Sequence, residues 1–311
     1  MRTADGGAPA SGSTALERRL QRVVRDVRRD VPLDRHVAFR IGGPADLLVI
    51  PRDAGELRAA AMVLFAEGVR AVILGQGSNV LIGDRGVRGV VLKIGKGVDR
   101  VEIDGARVSA EAGAGLPAVA LRTARRGLSG LEFAAGIPAS VGGGVVMNAG
   151  AHGHAMAEVV EAVDVVTPEG AQRLDHQRLG WAYRTTILQE QPWVVVGAVM
   201  TLQPQDAAAV RQRLDAWLEH RGATQPIGPP SSGCMFRNPA GDHAGRLIEL
   251  AGGKGLAVGG ACVSEVHANY IINRGGATAA DVRALADQVR ARVMDRTGIL
   301  LEPEVKLLGE F

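Results

Sequence analysis

Residues 135–153 (AGIPASVGGGVVMNAGAHG) constrain the fold more than any other segment, because they are dense in glycine and carry almost no charge. Glycine permits a positive φ and lets successive backbone N–H groups converge on an anion or lie against a flat ring. Residues 40–45 (RIGGPA) and 75–79 (GQGSN) share this character. A turn is the simpler interpretation of any one such loop. Three together predict a single large anionic ligand that is held at several points.

Composition excludes several classes of protein. The chain has 311 residues, of which 46% are hydrophobic and 22% charged, as is typical of a globular protein with two or three domains. A net charge of +3 and an aromatic content of 3% argue against nucleic acid as a partner. No segment has the ~20 apolar residues of a membrane span. We therefore expect no nucleic-acid or membrane partner, and no feature of the chain requires a protein partner.

The cysteines and the N-terminal segment bear on cellular location. Cys234 and Cys262 lack the spacing of metal ligands, and residues 1–15 are rich in small residues without an apolar run. We expect free thiols, no metal site, a disordered leader over 1–15 and a cytoplasmic location. Residues 16–29 place apolar side chains at helical spacing among arginines, which predicts a solvated amphipathic helix. An arm that binds a membrane surface or nucleic acid is the less favoured alternative.

The first half of the chain reads as a mixture of helices and short strands. Residues 47–50 and 71–74 read as buried strands, with a helix between them that begins at about Asp53 and carries a capping-box pattern with Glu56. The second strand runs directly into the loop at 75–79, and ligands of small α/β units lie at such strand ends. Further predicted elements are short β runs within 90–112, a helix at 116–126, and strands at 159–166 and 194–202.

The last third of the chain alternates predicted helices and strands in a pattern of its own. After a predicted helix at 206–221, the run TQPIGPPSSG at 224–233 is typical of a domain boundary. The remaining predicted elements are helices at 244–250 and 281–297, a strand at 270–273 and a final strand at 300–308. This pattern favours an α+β protein rather than a regular βαβ series.

Several residues are candidates for chemistry, each with a simpler alternative. Gly113-x-Gly115-x-x-Ala118, with Glu132 as an acid for a ribose, matches a dinucleotide-binding pattern, but a tight turn between strand and helix is favoured. Arg184, between Tyr183 and two threonines, offers a planar fork for a carboxylate or phosphate, although a surface ion pair is the default.

The C-terminal third adds a thiol and a group of charges. Cys234 lies among hydroxyl groups in SSGCMFRNP, where a thiol can act as an acid or a nucleophile, whereas Cys262 reads as a buried hydrophobic residue. In the final strand Glu302, Glu304 and Lys306 share a face unless Pro303 breaks the register, and a solvated edge is the alternative. His267 and Asn269 are weaker candidates, because a single histidine is usually structural.

These motifs together resemble the family of UDP-N-acetylenolpyruvoylglucosamine reductases. The resemblance covers about 33–309 and rests on seven segments in order, which are 40–45, 75–79, 135–153, 183–184, 232–239, 263–273 and 302–305. It implies an FAD-binding domain of the vanillyl-alcohol-oxidase type in two subdomains, an α/β substrate-binding domain and a C-terminal strand that returns to the flavin. The expected boundaries are 16–94 and 95–204 for the subdomains, 205–299 for the substrate domain and 300–311 for the strand.

The resemblance also implies a reaction, in which NADPH reduces non-covalently bound FAD and the reduced flavin then reduces UDP-N-acetylglucosamine enolpyruvate to UDP-N-acetylmuramate. It assigns polarisation of the substrate carboxylate to Arg184 and Glu304, and protonation to Cys234. Substrate contacts are expected from Tyr183, Arg221, Asn238, His267 and Asn269. Cofactor contacts are expected from Arg40, Gly42, Gly43, Gly75, Gly77, Ser78, Asn79, Gly136, Ser140, Gly142, Gly143 and Asn148.

The chain departs from the family pattern at three places. His152 stands where the family often has tyrosine, Val266 stands where a basic residue is common, and the segment 183–193 is short, as in the subtype without an inserted substrate-covering loop. Two alternatives remain open from the residues. One is an FAD-dependent oxidase of the same fold that acts on an alcohol or sugar, and the other is a non-catalytic paralogue that binds flavin or a UDP-sugar.

Overall fold

The first sheet is mainly parallel and ends at the loop 75–79. The computed structural model describes residues 13–311. Its first elements are α1 (Ser13–Gln21), β1 (Val27–Pro32), β2 (Pro44–Val49), α2 (Ala54–Ala66), β3 (Val72–Leu74), β4 (Val80–Ile82) and β5 (Val87–Lys93). The strand order is β1-β2-β5-β3, with β1 antiparallel to β2 and the other pairs parallel. The predicted cap is confirmed, because the Asp53 side chain accepts from the Glu56 N–H at 2.8 Å.

The predicted helix over residues 16–29 is wrong beyond Gln21. Residues 27–32 form the edge strand β1 instead, which exchanges backbone hydrogen bonds with the apolar strand β2. Arg28 and Arg29 pair with Asp26 and Glu17, so the arginines line an exposed strand edge rather than a helix face. Tertiary pairing has overridden the local helical spacing. The predicted leader lies outside the described residues except for 13–15, which begin α1.

The second sheet has five antiparallel strands. The next elements are β6 (Val101–Asp104), β7 (Arg107–Glu111), α3 (Leu116–Ala124), β8 (Leu128–Ser129), α4 (Val141–Val146), β9 (Gly150–Ala151), β10 (His154–Ala155), β11 (Val160–Thr167), β12 (Gly170–Asp175), β13 (Val194–Thr201) and β14 (Gln203–Pro204). The sheet order is β12-β11-β13-β7-β6. The predicted strands and the helix at 116–126 are confirmed to within two residues.

The dinucleotide-like pattern is a turn, as the simpler interpretation predicts. Gly115 precedes α3 directly, and a Cβ on Gly113 would overlap the backbone of Gly95. Glu132 is not positioned for a ribose, because Arg213 Nη2 lies 2.9 Å from its Oε1 and the Ser129 hydroxyl donates to the same oxygen.

The C-terminal third forms a separate four-stranded sheet with two covering helices. Its elements are α5 (Ala207–Thr224), β15 (Ser231–Cys234), α6 (Ala244–Leu250), β16 (Ala257–Val258), β17 (Ala261–Val263), β18 (Tyr270–Asn273), α7 (Ala279–Thr297) and β19 (Lys306–Leu308). The order is β15-β18-β17-β16. The helices predicted at 206–221, 244–250 and 281–297 are confirmed, and the mixed content agrees with the predicted α+β class.

The final strand is much shorter than the predicted 300–308. Only Lys306–Leu308 is a strand, and it pairs in parallel with β4 of the N-terminal part. Pro303 has no N–H for a ladder and forms an isolated bridge with Phe236. Glu304 and Lys306 line the cavity described below, and Glu302 is not among its lining residues.

Two main hydrophobic cores hold these sheets. The larger one joins the first and second sheets, with α2 packed against β11 and β13. The smaller one lies under the C-terminal sheet and includes Phe39 and Ile41 from the N-terminal part. Together the two cores connect all three sheets. Among the described helices, none is long and apolar enough to cross a membrane.

Candidate active site

A cavity of about 1420 Å³ opens where the three sheets meet. Its walls include residues 75–79, residues 136–143 and the C-terminal side chains Cys234, Tyr270 and Glu304. The fold thus brings two of the three glycine-rich loops against the residues that carry reactive groups.

Residues 75–79 present backbone donors to this cavity. The loop leaves the carboxyl end of β3, where sheets with parallel strands commonly bind phosphates. Among the described residues, no acceptor meets the backbone N–H of Gln76, Gly77 or Ser78. Gly77 has φ of 67°, and a Cβ there would lie 2.7 Å from the Cα of Val37, so glycine is required. The loop is suited to an anion such as a diphosphate.

Lys93 supports the same loop from the side of the sheet. Its Nζ donates to the backbone oxygen of His36 at 3.2 Å and also to that of Gly75. Burial lowers the pKa of Lys93 to about 8, because desolvation disfavours the charged form. The Lys93 amine thus fixes the backbone oxygen of Gly75. The N–H groups of residues 76–78 still meet no acceptor in the described chain.

Residues 136–143 form the facing wall. Ser140 caps α4 by accepting from the Gly143 N–H at 3.3 Å. A Cβ on Gly75 would lie 2.5 Å from the Ser140 Oγ, and one on Gly142 would lie 2.9 Å from the Cβ of Ala112. The two loops therefore approach this closely only because residue 75 lacks a side chain, whereas the missing side chain at 142 lets α4 pack against Ala112.

Arg184 and Glu304 form an ion pair inside the cavity. The Arg184 Nε and a Glu304 carboxylate oxygen lie 2.8 Å apart, and Arg184 Nη1 donates to the Gly150 backbone oxygen at 2.9 Å. The buried Nε–H is poorly aligned with the Glu304 oxygen, so the contact is an ion pair rather than a linear hydrogen bond. Arg184 has φ of 58°, a strained conformation that is common at functional sites. Burial raises the pKa of Glu304, although Arg184 opposes the shift.

Cys234 ends β15 and lines the same cavity. Burial, and then the charge of Glu304, raises the pKa of its thiol to about 12. The thiol therefore keeps its proton at neutral pH, as a proton donor must. Cys262 is fully buried, in agreement with the prediction that it is a hydrophobic core residue.

Comparisons with known proteins identify the family. Residues 225–308 match the model of the UDP-N-acetylenolpyruvoylglucosamine reductase C-terminal domain, and residues 45–174 match an FAD-binding domain model. The UDP-N-acetylenolpyruvoylglucosamine reductase 2 of Symbiobacterium thermophilum is 48% identical over 94% of this chain and 97% of its own length. The reductase of Bacillus subtilis is 41% identical over 93% of this chain and 96% of its own.

The chain belongs to the UDP-N-acetylenolpyruvoylglucosamine reductase family. The crystal structure of the Thermus caldophilus reductase superposes with a TM-score of 0.80 at 35% identity, covering 91% of this chain and 99% of that one. This reductase is an FAD-dependent oxidoreductase of a peptidoglycan-synthesis family, with an FAD-binding domain of the vanillyl-alcohol-oxidase type followed by the C-terminal reductase domain.

The cavity of the reductase fits FAD. The backbone N–H groups at 76–78, which meet no acceptor in the described chain, suit its diphosphate, and the glycine-rich walls at 75–79 and 136–143 leave few side chains to obstruct a flat ring in the cavity. The loops at 75–79 and 136–143 are the segments that would hold the cofactor.

Most residues predicted for the site line the cavity of the reductase. These are Gly75, Gly77, Ser78, Asn79, Gly136, Ser140, Gly142, Gly143, Arg184, Arg221, Cys234, His267 and Glu304. Their roles remain predictions, since lining shows position rather than function.

Three predicted cofactor residues lie outside the main cavity. Gly42 packs against Ile82, and a Cβ on Gly43 would overlap the backbone oxygen of Asp84. These glycines allow close packing of backbone segments, and their cofactor role stays a prediction. Arg40 lies in a separate small cavity of about 370 Å³ that also contains Arg221.

Four further predicted residues also lie outside the cavity walls. The Asn148 amide donates to the Ala182 backbone oxygen at 2.9 Å and so supports the turn that presents Arg184. Asn269 is committed to the backbone of Phe236, to which it donates at 2.8 Å and from which it accepts at 2.9 Å.

Asn238 and Tyr183 have similarly local contacts. Asn238 accepts from the Ala244 N–H at 3.0 Å, at the start of α6. Tyr183 is 55% exposed, with its ring centroid 5.4 Å from the Arg184 guanidinium carbon. Among described contacts, these side chains hold local structure.

Some residues that line the cavity were not assigned to it from the sequence. Lys306, which was predicted only to share a strand face with Glu302 and Glu304, lines the cavity, and burial and then Arg237 lower its pKa. Trp217 and His220 enter from α5, and the Trp217 ring centroid lies 3.9 Å from that of His152. Trp217 is one of three tryptophans in a chain with 3% aromatic residues, and that rarity is the one signal that could have drawn attention to it.

Proposed function

We propose that this reductase converts UDP-N-acetylglucosamine enolpyruvate to UDP-N-acetylmuramate, with NADPH as the reductant. When bound, FAD would supply the hydride chemistry between NADPH and the enolpyruvyl double bond, with N5 as the proposed hydride donor. The observation that carries the proposal is the convergence of Arg184, Glu304 and Cys234 in one cavity beside the glycine loops.

Arg184 is the proposed stabiliser of negative charge. Addition of hydride to the enolpyruvyl group leaves enolate-like charge on the substrate carboxylate. A guanidinium that is held in place by the Gly150 carbonyl and by Glu304 is preorganised for that charge.

Glu304 is the proposed partner in polarising the same carboxylate. A carboxylate at this position would repel the developing charge, whereas a protonated carboxyl group donates a hydrogen bond to it. Burial raises the pKa of Glu304, which favours the protonated form once a substrate carboxylate competes for Arg184.

Cys234 is the proposed proton donor. Its raised pKa, about 12, keeps the thiol protonated until the strongly basic substrate enolate forms. The S–H bond then breaks, the proton bonds to the neighbouring substrate carbon, and a thiolate remains.

Arg221 and His267 are the proposed contacts for the remaining, nucleotide part of the substrate. Both line the cavity, and no described acceptor occupies the Arg221 guanidinium. The proposed compartment is the cytoplasm, because both cysteines are free and the proposed chemistry needs a reduced thiol.

Anaerobic stopped-flow absorbance tests this proposal. We expect NADPH to bleach the flavin of the purified protein and the enolpyruvyl substrate to restore its colour. Flavin that NADPH reduces but this substrate does not reoxidise would contradict the proposed substrate. Oxygen consumption with a polyol in place of the enolpyruvyl substrate would favour the oxidase alternative.

A further inference from the structure

Tyr270 stands directly opposite Cys234. The two residues are register partners in the antiparallel pair of β15 and β18. Such partners share a face of the sheet, with Cβ atoms roughly 4.5–5.5 Å apart. Both line the cavity, and Tyr270 is only 8% exposed. The phenol is therefore fixed beside the thiol rather than free in solvent.

The Tyr270 hydroxyl stays protonated beside the Cys234 thiol. Burial, and then the neighbouring Cys234, raises the pKa of Tyr270 above its usual value, so the hydroxyl keeps its proton at working pH. Arg221 and Glu304 also act on this hydroxyl, and the His267 ring centroid lies 5.0 Å from that of Tyr270.

Besides Tyr270, two charged side chains and one amide act on the Cys234 thiol. Glu304 disfavours a thiolate and Arg184 favours one, so the two members of the ion pair act on the thiol in opposite directions. Asn269 also reaches the thiol, but its amide is already engaged with the Phe236 backbone. Tyr270 is the neighbour with an uncommitted donor.

We propose that Tyr270 is a positioning residue whose hydroxyl donates a hydrogen bond to Sγ of Cys234 and stabilises the thiolate that protonation of the substrate leaves behind. Its role in turnover rests on the proposed function of Cys234. Tyr270 keeps its own proton throughout, and the thiolate recovers one from water that enters the cavity after the product leaves.

Alkylation of the resting holoenzyme tests the contact without turnover. In a Cys262→Ala background, Cys234 is the sole thiol, and its rate of reaction with iodoacetamide against pH reports the thiolate fraction. Tyr270→Phe keeps the ring and removes the donor. We expect its alkylation rate, at a pH below the thiol pKa, to fall at least about tenfold. Superimposable pH profiles would overturn the proposal.

A matched control and a second probe guard against a general structural effect. Tyr183→Phe removes the other of the two tyrosines, and we expect it to leave the pH profile of Cys234 unchanged. In the Tyr183→Phe background, position 270 is the sole tyrosine. Replacing it with 3-fluorotyrosine gives a stronger hydrogen-bond donor than tyrosine and should speed alkylation of Cys234. A slower or unchanged rate with fluorotyrosine would contradict the proposal.

Rates of the two half-reactions distinguish failure of the Tyr270 proposal from failure of the proposed function. We expect Tyr270→Phe to lower the rate of flavin reoxidation by substrate, with little change in reduction by NADPH or in substrate KM. Failure of the parent enzyme to use the substrate would refute the proposed function, while the alkylation profiles would still decide whether Tyr270 contacts the thiol.

Discussion

The Arg184 Nε and a carboxylate oxygen of Glu304 lie 2.8 Å apart in the cavity. Arg184 comes from the turn before β13, whereas Glu304 comes from the C-terminal segment. That segment is held on both sides, because the Glu304 N–H donates to the Met235 backbone oxygen at 2.9 Å and the Asn79 amide donates to the Glu304 backbone oxygen at 3.4 Å. The ion pair thus joins the cofactor loop, the C-terminal sheet and the turn at Arg184.

Arg184→Ala should slow flavin reoxidation by substrate by about 10²–10³-fold, because loss of one preorganised donor has this typical effect. Reduction by NADPH should remain nearly intact, since only the second half-reaction builds charge on the substrate carboxylate. Rapid kinetics of each half-reaction checks this. Arg173→Ala, which breaks an exposed ion pair between Arg173 on β12 and Asp164 on β11, is the matched control and should affect neither half. Equal losses in both halves for Arg184→Ala would indicate damage to the flavin site.

Glu304→Gln should weaken the same half-reaction, because the amide is a poorer donor than a carboxyl group. The raised pKa of Glu304 also predicts a pH effect on stability. A folded-state pKa above 4.5 means that the folded protein holds the proton more tightly. Stability from this group is therefore present below pH 4.5 and is lost as pH rises through the folded pKa. The free energy of unfolding of the parent, relative to Glu304→Gln, should fall over that window in denaturant titrations; a rise would refute it.

Cys234→Ala should reduce substrate-dependent flavin reoxidation by about 10²–10⁴-fold, the usual contribution of a general acid. Cys234→Ser should keep substantial activity, because a hydroxyl group can replace the thiol in a polarised site. Reduction of flavin by NADPH should persist in both variants. Near-normal turnover of Cys234→Ala would mean that water or another residue donates the proton.

Peroxide should inactivate the parent enzyme more slowly at neutral than at alkaline pH. The reason is that the pKa of the Cys234 thiol is about 12 and only the thiolate is readily oxidised. Residual activity after timed exposure between pH 7 and 10 measures this, with Cys234→Ser as a resistant control. A rate independent of pH would point to another target.

Gly75→Ala should weaken FAD binding, because the added methyl group would lie 2.5 Å from the Ser140 Oγ. Adding Ser140→Ala removes that oxygen and should restore part of the affinity, at the cost of about 1 kcal/mol for the lost helix cap. Fluorescence titration of the apoprotein with FAD measures both effects. Gly77→Ala meets backbone of Val37 at positive φ, so the same second substitution should not rescue it. Equal rescue of both would refute the contact.

Lys93→Met should release FAD more readily, because the carbonyls of His36 and Gly75 lose their donor. The pKa of Lys93, about 8 against 10.5 unfolded, also sets a sign for stability. Between pH 8 and 10.5 the unfolded chain binds more protons, so stability rises with pH. The free energy of unfolding of the parent relative to Lys93→Met should increase across this window. No increase would mean that Lys93 is more hydrated than the structure shows.

Local properties of the sequence were sufficient to predict many of the secondary-structure elements. The cap at Asp53, the turn at Gly115 and the helix that became α7 follow from short-range chemistry, namely side-chain capping, glycine φ and periodic burial. The sequential order of the glycine loops, Arg184, Cys234 and Glu304 was also sufficient to indicate the family, because that order is specific even when each motif alone is not.

Features that depend on contacts between distant residues were decided only by the tertiary structure. Residues 27–32 became a strand because β2 offered an apolar partner, against their helical spacing. Gly42 and Gly43 share the composition of the cofactor loops, yet packing turns them against Ile82 and Asp84. The register that sets Tyr270 beside Cys234, and the burial that raises the pKa of both, arise only when β15 and β18 pair. Desolvation and cross-strand contact belong to the folded chain, so no local pattern encodes them.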